Sequence, residues 1–154
     1  MVRGPKGEVG SGPRGAVALP SLGAALVIED DPIIAMTVAD TLRDGGAHPV
    51  ETFATTEEAL IALERLLPSI VVLDVHLADR ADGWAFAELL PLMGPPRPQV
   101  IFATGSPQDI PPQIAALGTV LAKPFSPADL LRAVAPPHSE GLLSRLRGAF
   151  TSEN

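Results

Sequence analysis

Cysteine and tyrosine are absent from this chain, and tryptophan occurs once, at Trp84. Without cysteine there are no disulfides, no thiolate metal sites and no cysteine nucleophile. A reducing cytoplasm is compatible with that absence. Aromatic residues make up only 4% of the sequence, so the core must be built from Ala, Leu, Val and Ile. Long apolar runs are missing too: residues 16–28 are interrupted by Pro20, Ser21 and Gly23, well short of the ~20 residues a membrane span needs. No membrane anchor is expected. The Gly and Pro residues between positions 4 and 15 stand where a signal peptide would have its apolar region.

Positive charge is also scarce, with 11 Lys and Arg against 18 Asp and Glu, a net charge of −7. Residues 1–23 carry Arg3, Lys6 and Arg14 against Glu8, a net of +2, which leaves −9 for the rest. An acidic body argues against a nucleic-acid partner, whose phosphates need a basic footprint. It is no obstacle to a metal ion. A length of 154 residues suits one domain, with roughly two-thirds of its unfolded surface buried on folding.

Residues 1–22 are rich in Gly and Pro and poor in core-forming side chains, and are expected to be a disordered tail. Ala25-Leu26-Val27-Ile28 reads as a strand that ends in Glu29, Asp30 and Asp31. Asp31-Pro32 then gives an N-cap followed by a first-turn proline. Ile34, Val38 and Leu42 form an apolar stripe, and Gly45-Gly46 is the stop. A weaker strand spans 49–53, and Thr55-Thr56-Glu57-Glu58 supplies a capping box for a second helix.

Ile70-Val71-Val72-Leu73, mostly β-branched and entered after Pro68-Ser69, reads as a strand buried on both faces that ends in Asp74. A polar loop over 78–83 leads to a helix from Trp84. Val100 to Ala103 form a fourth strand ending at Thr104-Gly105. Prolines 107, 111 and 112 leave only a short helix over 113–117. Val120-Leu121-Ala122 is a fifth strand ending at Lys123-Pro124, and Ser126 to Asp129 cap a last core helix over 129–135. Strands alternating with helical segments imply an α/β fold, a doubly wound five-stranded parallel sheet over residues 23–136, because parallel neighbours require crossovers. Leu142, Leu146, Ala149 and Phe150 give residues 137–154 the pattern of an amphipathic helical extension.

Ligands bind at the carboxyl edge of such sheets. Here the strand ends deliver Glu29 and Asp30, Asp74, Thr104 and Lys123. Carboxylates gathered together repel one another, and such a trio suits a hard divalent cation, Mg²⁺ by default. A lysine and a threonine hydroxyl beside it suit a phosphoryl group.

The motifs Leu26-Val27-Ile28-Glu29-Asp30-Asp31-Pro32, Val72-Leu73-Asp74, Asp82-Gly83, Thr104 and Lys123-Pro124-Phe125, in that order, resemble the receiver domains of bacterial two-component response regulators. The resemblance covers about residues 24–135. It implies a flavodoxin-like (β/α)5 fold in a cytoplasmic phosphorelay protein, with Asp74 accepting a phosphoryl group from a sensor histidine kinase or histidine phosphotransferase. It further implies Mg²⁺ held by Asp30, Asp74 and the backbone carbonyl of His76, with Glu29 acting largely through water. Lys123 would pair with the phosphoryl group, Thr104 would swing toward it, and the Lys123–Pro124 bond would be cis.

Receivers of this family carry an aromatic residue three positions before the lysine, where this chain has Val120, so aromatic switching is not carried over. The run Phe102-Ala103-Thr104-Gly105 partly resembles stand-alone receivers linked to HWE-type histidine kinases, which points to reordering of residues 105–118 as the signal. The resemblance implies a single-domain regulator that catalyses only its own phosphorylation and dephosphorylation, with output by binding a downstream protein or by onward phosphotransfer.

Two other readings fit the residues less well. A receiver-like binding module that works without phosphate would have no reason to keep repelling carboxylates together. A haloacid-dehalogenase-type phosphatase would want a second Asp two residues after Asp74, where this chain has His76. Asp31 is read as an N-cap, His48 and His138 as surface residues, and Trp84 and Phe86 as packing.

Overall fold

The computed structural model describes residues 21–78 and 83–135. Five parallel strands, β1 (Gly23–Ile28), β2 (Ala47–Phe53), β3 (Ile70–Asp74), β4 (Gln99–Thr104) and β5 (Thr119–Ala122), form one sheet in the order β2-β1-β3-β4-β5. Helices α1 (Pro32–Asp44), α2 (Thr56–Leu66), α3 (Val75–Ala78), α4 (Gly83–Leu89), α5 (Pro112–Ala115) and α6 (Pro127–Val134) connect and follow them. Tight 3₁₀ turns occupy Leu90–Leu92 and Pro107–Asp109. The doubly wound α/β fold read from the sequence is therefore the fold of the described residues.

Alternation along each strand divides the core into two layers. Leu26, Ile28, Val71, Leu73, Val100 and Phe102 face α2, α4 and α5, and meet Ala59, Leu63, Phe86, Leu90 and Ile114. Ala25, Val27, Ile70, Val72, Ile101 and Ala103 face the other way, onto Val38 and Leu42 of α1 and Leu130 and Val134 of α6. β3 is buried along its whole length, as its unbroken apolar run requires.

Helix ends follow the capping residues closely. The Asp31 carboxylate accepts the amides of Ile33 (2.8 Å) and Ile34 (3.2 Å), and Pro32 fills the position whose missing N–H is no loss. Thr55 accepts the Glu58 amide at 3.2 Å, the threonine half of the expected capping box. The complete box lies elsewhere, at α6, where Ser126 Oγ accepts the Asp129 amide (3.1 Å) and Asp129 Oδ2 accepts the Ser126 amide (2.8 Å). Ser126 is thus the N-cap, so the helix begins at Pro127, two residues earlier than expected. A four-residue turn, α3, follows β3 at once because Val75 and Leu77 are apolar and bury themselves.

The expected tail, the C-terminal extension over 137–154 and Asp82 lie outside the described residues, except that the tail's Ser21 and Leu22 are described. The Leu22 amide donates to the Gly46 carbonyl at 3.1 Å. Among the described residues, no helix is long and apolar enough to cross a membrane.

Gly118 precedes β5 where the backbone passes close to β4: a Cβ there would collide with the Val100 carbonyl oxygen and lie 2.9 Å from its Cβ. Gly94 has nothing within 4 Å of such an atom. Gly118→Ala is expected to cost about 1–3 kcal/mol in urea unfolding, as overpacking does, with Gly94→Ala free of that clash penalty.

The Ser126 amide and hydroxyl hold the Asp129 carboxyl below its ordinary 3.8. A depressed carboxyl stabilises the fold above its unfolded pKa, and that contribution is lost as pH falls through the folded value. Asp129→Asn should therefore lower the thermal midpoint at pH 7, and the gap to wild type should close below about pH 4.

Candidate functional site

Strand register brings the functional residues to one place. Ile28 pairs with Leu73, so the next residues, Glu29 and Asp74, emerge side by side. Asp74 pairs with Ala103, which sets Thr104 one step beyond, and Thr104 pairs with Ala122, after which comes Lys123. The Lys123 amide donates to the Thr104 carbonyl at 2.7 Å and carries the ladder one residue past the strand. Chain order reverses at the β1–β3 boundary, where β2 lies to one side and β3 to the other. Such a switch point opens a crevice between the loops.

Glu29 and Asp74 are each only 6% exposed, and Thr104 is 5% exposed. Asp30 stands exposed at the mouth. Carboxylate oxygens of Glu29, Asp30 and Asp74 all lie within 4.8 Å of one another. Lys123 Nζ reaches Glu29 Oε2 at 3.0 Å and Asp74 Oδ1 at 3.5 Å. The Asp31 amide donates to Glu29 Oε1 (3.1 Å), and the His76 amide to Asp74 Oδ1 (3.0 Å). Among the described residues, Asp74 Oδ2 accepts no hydrogen bond.

Burial pushes the Glu29 carboxyl above its usual range, and the Asp74 charge adds to that, against the opposing pull of Lys123 and the Asp31 amide. Burial alone would pull the Lys123 ammonium down. Its hydrogen bond to Glu29 and the charges of Asp74 and Glu29 outweigh that cost and hold it above its ordinary value. The lysine therefore stays charged at neutral pH.

An open pocket of about 270 Å³ lies against Asp74, lined by Asp74, Val75, His76, Trp84, Thr104, Gly105, Ser106 and Asp109. Thr104 Oγ1 accepts the Ser106 amide at 3.0 Å, which leaves the hydroxyl proton to donate to a guest. The side chains of Glu29, Asp30, Asp74, Thr104 and Lys123 thus meet at one edge, and His76 adjoins them, its amide, rather than the carbonyl expected as a ligand, contacting Asp74. The donor set suits a hard cation, since it offers carboxylate oxygens without thiolate or thioether.

Sequence reasoning missed five pocket residues, Val75, Trp84, Gly105, Ser106 and Asp109. Trp84 packs on the core as expected, and it also lines the pocket. Ser106 and Asp109 return to the site because the Pro107–Asp109 turn is tight, with the Asp109 amide donating to the Ser106 carbonyl at 3.0 Å. Prolines 107, 111 and 112 pointed only to a short helix after them, and gave no sign that the preceding turn lies against Asp74.

Asp31 takes no part in the cluster as a ligand, since its side chain caps α1. Removing Lys123 would leave two buried carboxylates facing each other. Lys123→Gln is expected to lower stability at pH 7 in metal-free buffer by about 1–3 kcal/mol, the range for leaving a buried polar partner unsatisfied. Urea unfolding checks it.

Residues 25–135 match the family model described as the response regulator receiver domain. The chain is 38% identical over 112 residues to the phyllosphere-induced regulator PhyR of Methylorubrum extorquens, covering 68% of this chain and 39% of that protein. It thus spans well under half the length of that relative. Among solved structures it resembles the receiver domain of Erythrobacter litoralis PhyR (29% identity, TM-score 0.59, covering 72% of this chain and 85% of that one). It also resembles the chemotaxis response regulator CheY4 of Vibrio cholerae (28% identity, TM-score 0.60, covering 71% and 93%). With its strand-end acids, threonine and lysine converging on one sheet edge, the chain belongs to the response regulator receiver domain family.

Proposed function

We propose that Asp74 is the phosphoacceptor of a Mg²⁺-dependent phosphorelay, taking its phosphoryl group from a sensor histidine kinase or a histidine phosphotransferase. The observation that carries this reading is the gathering of three carboxylates within 4.8 Å around a strand-end Asp that a lysine approaches to 3.5 Å. Asp74 attacks the phosphorus through a carboxylate oxygen, and the bond from phosphorus to the histidine nitrogen breaks. Lys123 offsets charge on the phosphoryl oxygens, and the Thr104 hydroxyl donates to one of them.

Glu29, Asp30, Asp74 and the His76 backbone carbonyl would hold the Mg²⁺, with Glu29 acting largely through water. When bound, the ion neutralises charge on the entering phosphoryl group. Lys123 already offsets part of the negative charge of Glu29 and Asp74, so the chain prepares the site for an anion.

The run Phe102-Ala103-Thr104-Gly105, with its partial resemblance to stand-alone receivers linked to HWE-type kinases, favours such a kinase as the donor. Output runs through binding of a downstream protein or onward phosphotransfer. With Val120 in place of an aromatic residue, the signal leaves by Thr104 and the segment 105–118 behind it.

Incubation with Mg²⁺ and acetyl phosphate, followed by intact mass measurement, tests the reading. One metal-dependent phosphoryl adduct is expected, absent in Asp74→Ala and in chelator. If wild type shows neither adduct nor phosphate release, from acetyl phosphate or a kinase, the reading fails and a phosphate-independent binding module takes its place.

A further inference from the structure

The pocket beside Asp74 carries a second carboxylate that metal binding does not explain. Asp109 closes the Pro107–Asp109 turn and lines the same 270 Å³ space as Asp74, His76, Trp84 and Thr104. It is not one of the three clustered acids. Its side chain is exposed, and among the described residues it takes no hydrogen bond or ion pair. Lys123 and Glu29 contact Asp74 but do not line this pocket.

A negative group here should repel an incoming phosphoryl donor. Its presence therefore calls for a guest that welcomes negative charge. In-line displacement places the leaving group on the far side of phosphorus from the attacking oxygen; this pocket is open space against Asp74 that Lys123 does not line, and it is the space into which such a group would depart. The chemistry of the leaving group then decides whether Asp109 helps or hinders.

We propose that Asp109 is a specificity-determining residue for the phosphoryl donor, accepting a hydrogen bond from the N–H of an imidazole leaving group and disfavouring one that departs as a carboxylate. The inference rests on Asp74 being the phosphoacceptor. In a phosphoimidazole protonated on its distal nitrogen, the Asp74 oxygen forms a bond to phosphorus and the P–N bond breaks. The electron pair returns to the ring nitrogen, so the ring leaves as neutral imidazole with its distal proton in place. Asp109 faces that proton with a charge-assisted acceptor, stronger than a neutral one. Trp84 adds an aromatic wall to the same space, suited to a flat ring. Acetyl phosphate has no N–H to offer, and its leaving acetate is repelled.

Initial rates of phosphoryl adduct formation on the full chain with Mg²⁺ are to be compared for phosphoimidazole and acetyl phosphate. In Asp109→Asn the rate with phosphoimidazole should fall and the rate with acetyl phosphate should rise. The ratio of the two should drop about tenfold, the factor that corresponds to roughly 1.4 kcal/mol of barrier. Asp109→Glu, which keeps the charge, should retain the wild-type preference. An unchanged ratio in Asp109→Asn, or an equal fall with both donors, overturns the inference while leaving the phosphoacceptor reading intact. A wild type that shows neither adduct nor phosphate release with either donor, nor with a kinase, overturns the phosphoacceptor reading, and this inference with it.

Discussion

The ion pair from Lys123 to Glu29 and Asp74, at 3.0 and 3.5 Å, is the interaction on which the functional edge depends. Parallel register forces the two carboxylates to emerge side by side, both nearly buried. Charges removed from water at such a point are costly unless paired. The end of β5, two strands from β3 and three from β1, supplies the pairing cation, held in place because its backbone continues the ladder to Thr104. The weakly buried edge strand β5 is thus linked to the centre of the sheet by this ion pair as well as by its ladder to β4 and the packing of Val120 and Leu121.

That pairing also divides the surroundings of Asp74. Its Oδ1 faces Lys123 and the His76 amide, whereas a pocket opens on the side of Trp84, Thr104 and Asp109. One flank is suited to holding charge in place and the other to admitting a guest. Thr104 joins the two: it is buried, its carbonyl accepts the Lys123 amide, and its hydroxyl oxygen accepts the Ser106 amide. Movement of the Thr104 side chain would therefore be felt directly in the segment that begins at Ser106.

Much of this was legible in the sequence because the strands are short apolar runs that stop at a polar residue. Ile70 to Leu73 fixed the position of Asp74, and Asp31-Pro32 marked the start of α1, since capping chemistry is local. What escaped was non-local or depended on competition between neighbours. Thr55 and Ser126 both stand before an acidic residue three positions on, yet only Ser126 closes its box. Pro127 was read as part of the cap but serves as the first helical residue. The placement of Asp109 depended on how two turns bounded by prolines fold back on the sheet, which no periodicity records. Trp84 fitted the spacing of a packing residue, and packing on the core did not prevent its indole from also reaching the pocket.

The most direct test of the site as a whole is a Mg²⁺ titration of ¹⁵N-labelled protein followed by amide chemical shifts. Saturable shifts centred on Glu29, Asp30, Asp74 and Lys123 are expected, and they should disappear in Asp30→Asn. The chain's net charge of −7 supplies the contrary outcome. Shifts that scatter over its acidic surface without saturating, and that persist in Asp30→Asn, would mean that the clustered carboxylates are not a metal pocket.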